Sequence, residues 1–173
     1  MSVMSRRPIA DKVKPLFDIS GVDLSRLILS RRQLERYNAH RDQMAMLDGI
    51  VWQSEDYTLG VAIKHVRDDE FWVKGHFPGR PMFPGVLMIE CGAQLACYLY
   101  NVRMTEPLLA AFLRIDSASF RASVCPGEDL LLLCKEVKFS RRRFVSDIQG
   151  LVGDRVTFQA RITGMGMGEL NFR

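Results

Sequence analysis

Histidine is scarce: the 173 residues hold three, His40, His65 and His76. A metal centre needs three convergent ligands. Beyond His76 and Glu90 no third candidate stands out, so no metal is expected. The four cysteines, Cys91, Cys97, Cys125 and Cys134, lack the paired short spacings of a zinc site. Three of them stand in apolar surroundings and Cys125 lies beside Pro126-Gly127, so reduced thiols in a cytoplasmic protein are expected. No strong charge bias exists either: 24 basic against 20 acidic residues leave a net charge of +4. That excess suits an acidic protein partner and is too weak alone to argue for nucleic acid. The run Arg141-Arg142-Arg143 has no aromatic-interleaved basic stretch beside it and reads as an exposed turn. The opening MSVMSRRPIADKVKPLF is basic without an apolar h-region, so no secretory signal is expected. Internal repeats and low-complexity segments are lacking. The one long apolar run, Val86 to Val102, is interrupted by Glu90, Gln94 and Asn101, which favours a buried helix over membrane insertion.

What is present is concentrated in residues 75–94, GHFPGRPMFPGVLMIECGAQ. Pro78, Pro81 and Pro84, with Gly75, Gly79 and Gly85, forbid a regular helix or central strand and fix the course of a loop. After Gly85 the chain is apolar on every side, the pattern of a buried helix. Its early polar exceptions, Glu90 and Gln94, are four residues apart and share one stripe. The first N–H groups after Pro84 have no intrahelical acceptor, and the helix dipole adds positive potential there. Because Gly85 has no side chain, a ligand carbonyl can approach its N–H closely, although a helix start wanting a small residue for packing would look the same. Glu90 follows about 7.5 Å along the axis, and helical side chains lean back toward the N-terminus. Leu87, Ile89, Ala93 and Leu95 around it predict a carboxyl raised by desolvation and kept protonated, fit to give a proton; pairing with an arginine is the alternative. His76, held between Gly75 and Phe77 in the proline-fixed loop, is placed to act as base. His40, in the loop-like segment AHRDQMAMLD, and His65, at the end of a strand pattern, are weaker candidates. Cys91 has no nearby histidine to make it a nucleophile.

Elsewhere the pattern sets the architecture. Residues 1–20 read as a loosely docked basic arm. Leu24, Leu27, Ile28 and Leu34 lie at helical spacing and predict an amphipathic helix over 24–37. Period two appears at Leu59, Val61 and Ile63, and β-rich runs follow at 128–140, 144–152 and 156–163, separated by turns at Arg141–Arg143 and Gly153-Asp154. One buried helix and consecutive strands predict an α+β fold, an antiparallel sheet curled around a central helix. Such a sheet leaves an edge uncovered, for which a second copy is a natural cover.

The segment 75–94 closely resembles the signature of the 3-hydroxyacyl-[acyl-carrier-protein] dehydratases of FabZ type, which have the hotdog fold. Residues 39–48, AHRDQMAMLD, and 120–130, FRASVCPGEDL, extend the likeness, which covers roughly residues 35–165. The resemblance implies a long central helix wrapped by an antiparallel sheet that dimerises into a continuous sheet. Residues 1–34 would form an N-terminal arm and helix, and 35–173 the hotdog dehydratase domain. It implies dehydration of (3R)-3-hydroxyacyl thioesters to trans-2-enoyl thioesters in fatty acid or related lipid synthesis, without cofactor. His76 would be the base and Glu90 the acid. The Gly85 amide would polarise the thioester, Gln94 would support Glu90, and Phe77, Phe83, Pro84 and Val86 would line the acyl tunnel. The implied partners are an acyl carrier protein and a second copy that shares the site, in a homodimer or a trimer of dimers. Glutamate at 90 resembles the branch that dehydrates without isomerising. A hotdog thioesterase and a non-catalytic acyl-thioester-binding protein are the competing readings. The departures, Ala39 in place of proline and Asp42-Gln43-Met44 at the tunnel mouth, bear on chain length and carrier docking rather than on chemistry.

Overall fold

The computed structural model describes residues 14–169. Its elements run β1 Leu29–Ser30, α1 Arg31–Leu34, a 3-10 turn at Asp42–Met44, β2 Gly49–Gln53, β3 Leu59–His65, α2 Gly85–Asn101, β4 Leu108–Phe120, β5 Asp129–Ser140, β6 Arg143–Val152 and β7 Arg155–Glu169. The seven strands form one antiparallel sheet in the order β1-β2-β3-β5-β6-β7-β4. The sheet cradles α2, whose 17 residues hold thirteen buried ones, among them Leu95, Tyr98 and Tyr100 at the centre of the core. At Gly92 helix and sheet are packed without room for a side chain: a Cβ there would meet Ile148 at 2.6 Å. Full burial of a leucine-sized side chain stabilises by ~1.5–3 kcal/mol, so this contact layer is a main source of stability.

The run Leu130–Leu133 shows why no alternation marks β5. Leu130 and Leu132 pack with the helix-side core, while Leu131 and Leu133 belong to a second apolar cluster on the outer face. A strand buried on both faces reads as a continuous hydrophobic run. The outer cluster is covered by the arm: Leu16, Phe17, Ile19 and Val22 pack on it with Trp52. Gln149 clamps the arm by accepting from Leu16 N–H at 2.8 Å and donating to Lys14 O at 3.1 Å. The arm from Lys14 onward is therefore docked; the expectation of loose docking for residues 1–13 lies outside the described residues.

The helix expected over 24–37 is largely absent. Only Arg31–Leu34 is helical, and Leu29–Ser30 pairs with Ile50 and Gly49 as a sheet edge. The apolar residues that suggested one helical stripe divide instead: Leu34 is buried, while Leu24, Leu27 and Ile28 remain exposed. The strand β4, unmarked by alternation, also had no counterpart among the expected runs. It is an edge strand whose residues are mostly exposed.

At the far end of α2, fully buried Asn101 donates to Tyr37 O (2.6 Å) and Leu108 O (2.9 Å) and accepts from Leu108 N–H (3.0 Å). One amide thus joins the helix end, the segment after α1 and the start of β4. Between β3 and α2 the loop is pinned by a buried pair, Lys64 Nζ to Glu70 Oε1 at 2.8 Å. Glu70 also accepts from Arg67 N–H (2.9 Å) and Trp72 Nε1–H (3.1 Å). A buried pair tolerates its desolvation only with such supporting bonds. No helix among the described residues is long and apolar enough to cross a membrane.

Candidate active site

The site begins where Pro84, extended at φ −58° and ψ 130°, hands the chain into α2. Leu87 N–H and Met88 N–H both turn back to Pro84 O, at 2.9 and 3.1 Å. No side chain caps this end, so the Gly85 amide stays available as a donor. A Cβ at Gly85 would meet the Phe120 ring at 2.7 Å. The missing side chain is thus needed for close approach of the last residue of β4.

One and a half turns on, Glu90 Oε1 accepts from Gln94 Nε2 at 2.8 Å. Gln94 is itself fixed: its Nε2 also donates to Met44 O (2.7 Å), its Oε1 accepts from Met46 N–H (3.0 Å), and its carbonyl accepts from Asn38 Nδ2 (2.9 Å). The second partner of Glu90 Oε1 is His40 Nε2, at 3.1 Å. Burial alone would push the Glu90 carboxyl up, and it is the largest single influence. The hydrogen bonds from His40 and Gln94 and the charge of His40 jointly outweigh it, leaving the carboxyl below its ordinary value. The expectation of a carboxyl raised by its apolar neighbours is therefore corrected. Those neighbours are present, but two donors, Gln94 one turn along the same helix and His40 from the loop before β2, reach the oxygen.

His76 Nδ1 lies 2.7 Å from Met82 O, the geometry of an Nδ1–H donating to a carbonyl. Its Nε2 is then the basic nitrogen. The ring stacks on Phe77 at 4.1 Å between centroids, and Trp72 O holds the backbone by accepting from Gly75 and His76 N–H at 3.1 and 2.9 Å. Within one chain, His76 is tied to Met82 and Glu90 to His40; the two expected partners are on separate tethers. His40 is the residue that pattern reading underrated. It is fifty positions from Glu90 in sequence, and its signal was a His-Arg pair in a loop together with a lone carboxylate on an apolar helix.

A cavity of 50 Å³ opens beside Glu90 and His40, lined by Ala93 and Cys97 of α2, Ala110 and Phe112 of β4, and Phe144 and Ile162 of the sheet, among others. None of Phe77, Phe83, Pro84 and Val86 lines it. Phe83 is buried against Trp72, with ring centroids 5.2 Å apart. Pro84 is buried at the helix start, whereas Phe77 and Val86 are exposed. A larger cavity, 710 Å³, lies under the arm between Phe17 and Leu151 and contains none of these groups. His65 is elsewhere, on Asp129 at the surface.

Comparison with known proteins follows the same lines. The FabA-like domain family matches residues 38–161. The 3-hydroxyacyl-[acyl-carrier-protein] dehydratase FabZ of Desulfotalea psychrophila is 37% identical over 128 residues, 71% of this chain and 83% of that protein. The FabZ of Geotalea uraniireducens is 40% identical over 106 residues, 60% of this chain and 72% of that one. The bifunctional LpxC/FabZ enzyme of Porphyromonas gingivalis is 34% identical over 77% of this chain, which spans 29% of that longer protein. Among solved structures, the dehydratase heterocomplex ApeI:P of Xenorhabdus doucetiae superposes with TM-score 0.69 at 15% identity, covering 83% of this chain and 93% of its own. The Escherichia coli PaaI protein superposes with TM-score 0.53 at 15% identity, over 69% and 79%. These structures share the fold, a sheet wrapped on one helix, and the sequence matches cover the helix start, Glu90 and the loop of His76: the chain is a hotdog-fold member of the FabA-like family, with FabZ dehydratases among its relatives.

Proposed function

We propose that this protein removes water from (3R)-3-hydroxyacyl thioesters carried on an acyl carrier protein, giving trans-2-enoyl thioesters for fatty acid or related lipid synthesis. The single observation that carries the chemistry is a lone carboxylate on an apolar helix, one and a half turns from an amide free to bind a carbonyl oxygen. His76 Nε2 takes the C2 proton, and the electron pair left behind spreads onto the thioester oxygen held by the Gly85 N–H. As the C2–C3 double bond forms, the C3–O bond breaks and Glu90 protonates the departing oxygen, which leaves as water. The donors on Glu90 favour its carboxylate, so they stabilise the charge that grows there as the proton departs. No metal or redox cofactor enters this scheme, because the thioester itself acidifies C2.

The separate tethers of His76 and Glu90 support a site completed by a second copy, with the partner's His76 facing Glu90. The exposed apolar edge of β4 is the surface we assign to that homodimer, and a trimer of dimers is a further assembly we leave to mass measurement. We assign delivery of the acyl carrier protein to Arg80, Arg121 and the turn around Arg141 and Arg142. Residues 35–173 are proposed as the catalytic unit, with residues 1–34 as a separate N-terminal segment whose described part, from Lys14, straps the sheet, and the cytoplasm is proposed as its compartment.

Mixing subunits tests the shared site. Neither His76→Ala nor Glu90→Gln homodimers can build a working site. After exchange about half of all dimers are mixed, each with one intact site of two, so roughly a quarter of wild-type turnover returns. Verified exchange without recovery places the pair within one subunit. Release of free thiol instead of enoyl-thioester absorbance from the wild-type enzyme marks it as a thioesterase.

A further inference from the structure

Elimination as proposed above needs a proton on Glu90 at the moment the hydroxyl leaves, yet His40 and Gln94 hold that carboxyl in its ionised form. A second proton-bearing group must stand beside it. His40 Nε2 is that neighbour, at 3.1 Å from Oε1, with the imidazole side chain 27% exposed.

The opposite nitrogen of the same ring carries an independent clue. His40 Nδ1 is buried without a hydrogen-bond partner among the described residues, and so is Oδ1 of Asn38. Both residues line one small cavity of 10 Å³, together with Arg31, Leu34, Glu35 and Gln94 among others. That volume is at the lower limit of what admits one water. One water there would accept a hydrogen bond from Nδ1–H and donate one to Asn38 Oδ1, which would satisfy both atoms at once. Buried polar atoms are rarely left unpaired in native folds. With a proton kept on Nδ1 by this water, Nε2 becomes the nitrogen that gains and loses the second proton, directly against Glu90.

We propose that His40 is the proton store for Glu90: anchored through Nδ1 to a buried water shared with Asn38, it holds on Nε2 the proton that Glu90 passes to the leaving hydroxyl. In the step, the Nε2–H bond of the imidazolium breaks and an O–H bond forms on Glu90. That proton then moves to the C3 oxygen as the C3–O bond breaks and water departs. His40 is left neutral with Nδ1–H in place, Glu90 is again a carboxylate, and His76 holds the C2 proton. His76 then releases its proton to solvent and His40 takes one up at Nε2, so each cycle closes with no net proton change. His40 acts through Glu90 and does not touch substrate.

This inference rests on the dehydratase reading, and the test separates the two. Wild-type dimer is first assayed for enoyl-thioester formation; absence of turnover there refutes the dehydratase reading itself. His40→Gln keeps a neutral N–H donor near Oε1 and cannot carry a proton, while His40→Ala opens space for a free imidazole. The expected result for His40→Gln is a kcat lowered at least ~10²-fold, the scale of a lost proton-transfer group, with KM changed much less. Turnover of His40→Ala is expected to rise in proportion to added imidazole and to remain flat with added formamide, which donates a hydrogen bond without titrating. A His40→Gln enzyme at wild-type kcat overturns the proposal, as does His40→Ala that imidazole does not restore.

Discussion

The two edges of the sheet are built to opposite specifications. At one end β1 has two residues, and the chain leaves it at once for α1, where Gln33 Oε1 takes up the Ser30 N–H at 2.8 Å. Ile28 N–H has already been matched to Ile50 O at 2.8 Å. At the other end β4 runs for 13 residues with Leu109, Phe112, Leu113, Ile115 and Phe120 each 44–52% exposed. A short edge backed by a local turn offers little template for another chain, whereas a long apolar one invites pairing. One edge is finished within the chain, and the other asks for a second copy. The edge left open is also the one whose last residue leans on Gly85 and whose Phe112 lines the cavity beside Glu90. The proposed interface and the proposed site therefore meet on the same strand.

The sharpest way to break this contrast is a charge on the open edge. Ile115→Asp is expected to halve the mass seen by light scattering and to lower turnover at least ~10²-fold, because each site would lose its partner's base. A fully active Ile115→Asp dimer would show that β4 is not the interface. A matching lesion at the closed edge should do far less. Leu29→Ala, at a half-buried position, is expected to cost roughly 1–2 kcal/mol of stability in urea unfolding, with mass and turnover unchanged. Loss of the dimer in this variant would make the two edges equivalent.

The smallest expected effect concerns the middle of the sheet and the helix it holds. Burial pushes the thiols of Cys97 and Cys134 up to about 12, and Cys91 higher still, while Cys125 is exposed. Thiolate is the reactive form, so at pH 8 a thiol reagent should modify Cys125 alone. The same result is expected in both edge variants, because neither lesion reaches the centre. Rapid reaction of Cys134 in Ile115→Asp would mean that the open edge also holds the core together.

Much of this architecture is legible in the chain. The helix α2 announces itself through Pro84-Gly85 and seventeen residues that only Glu90, Gln94 and Asn101 interrupt. Strands β3 and β7 show in their alternation, and β5 and β6 in their β-rich composition. Strand β4 escapes because its register with β7 shifts at three places, near Ala110, Arg114 and Ser117, and each shift resets the phase of inward and outward residues. The false helix at 24–37 arose because Leu24, Leu27, Ile28 and Leu34 repeat at helical spacing by coincidence, while Ile28–Ser30 spend their backbone bonds on β2. In the site, the polar stripe of Glu90 and Gln94 was visible from spacing alone. The meeting of His40 with Glu90 was not, since it depends on where a loop fifty residues upstream is laid by Asn38 and Gln94. With it went the sign of the carboxyl's displacement: the apolar neighbours and Gln94 are written beside Glu90, but His40 is not.

The Phe120 ring stands 2.7 Å from where a Cβ on Gly85 would be, which also constrains how this protein can change over generations. A methyl group at 85 is admitted only if that half-exposed ring moves aside. A smaller residue at 120 removes that obstacle in advance. Substitution at 85 is thus easier after a smaller residue stands at 120 than before, so what Gly85 can become depends on Phe120.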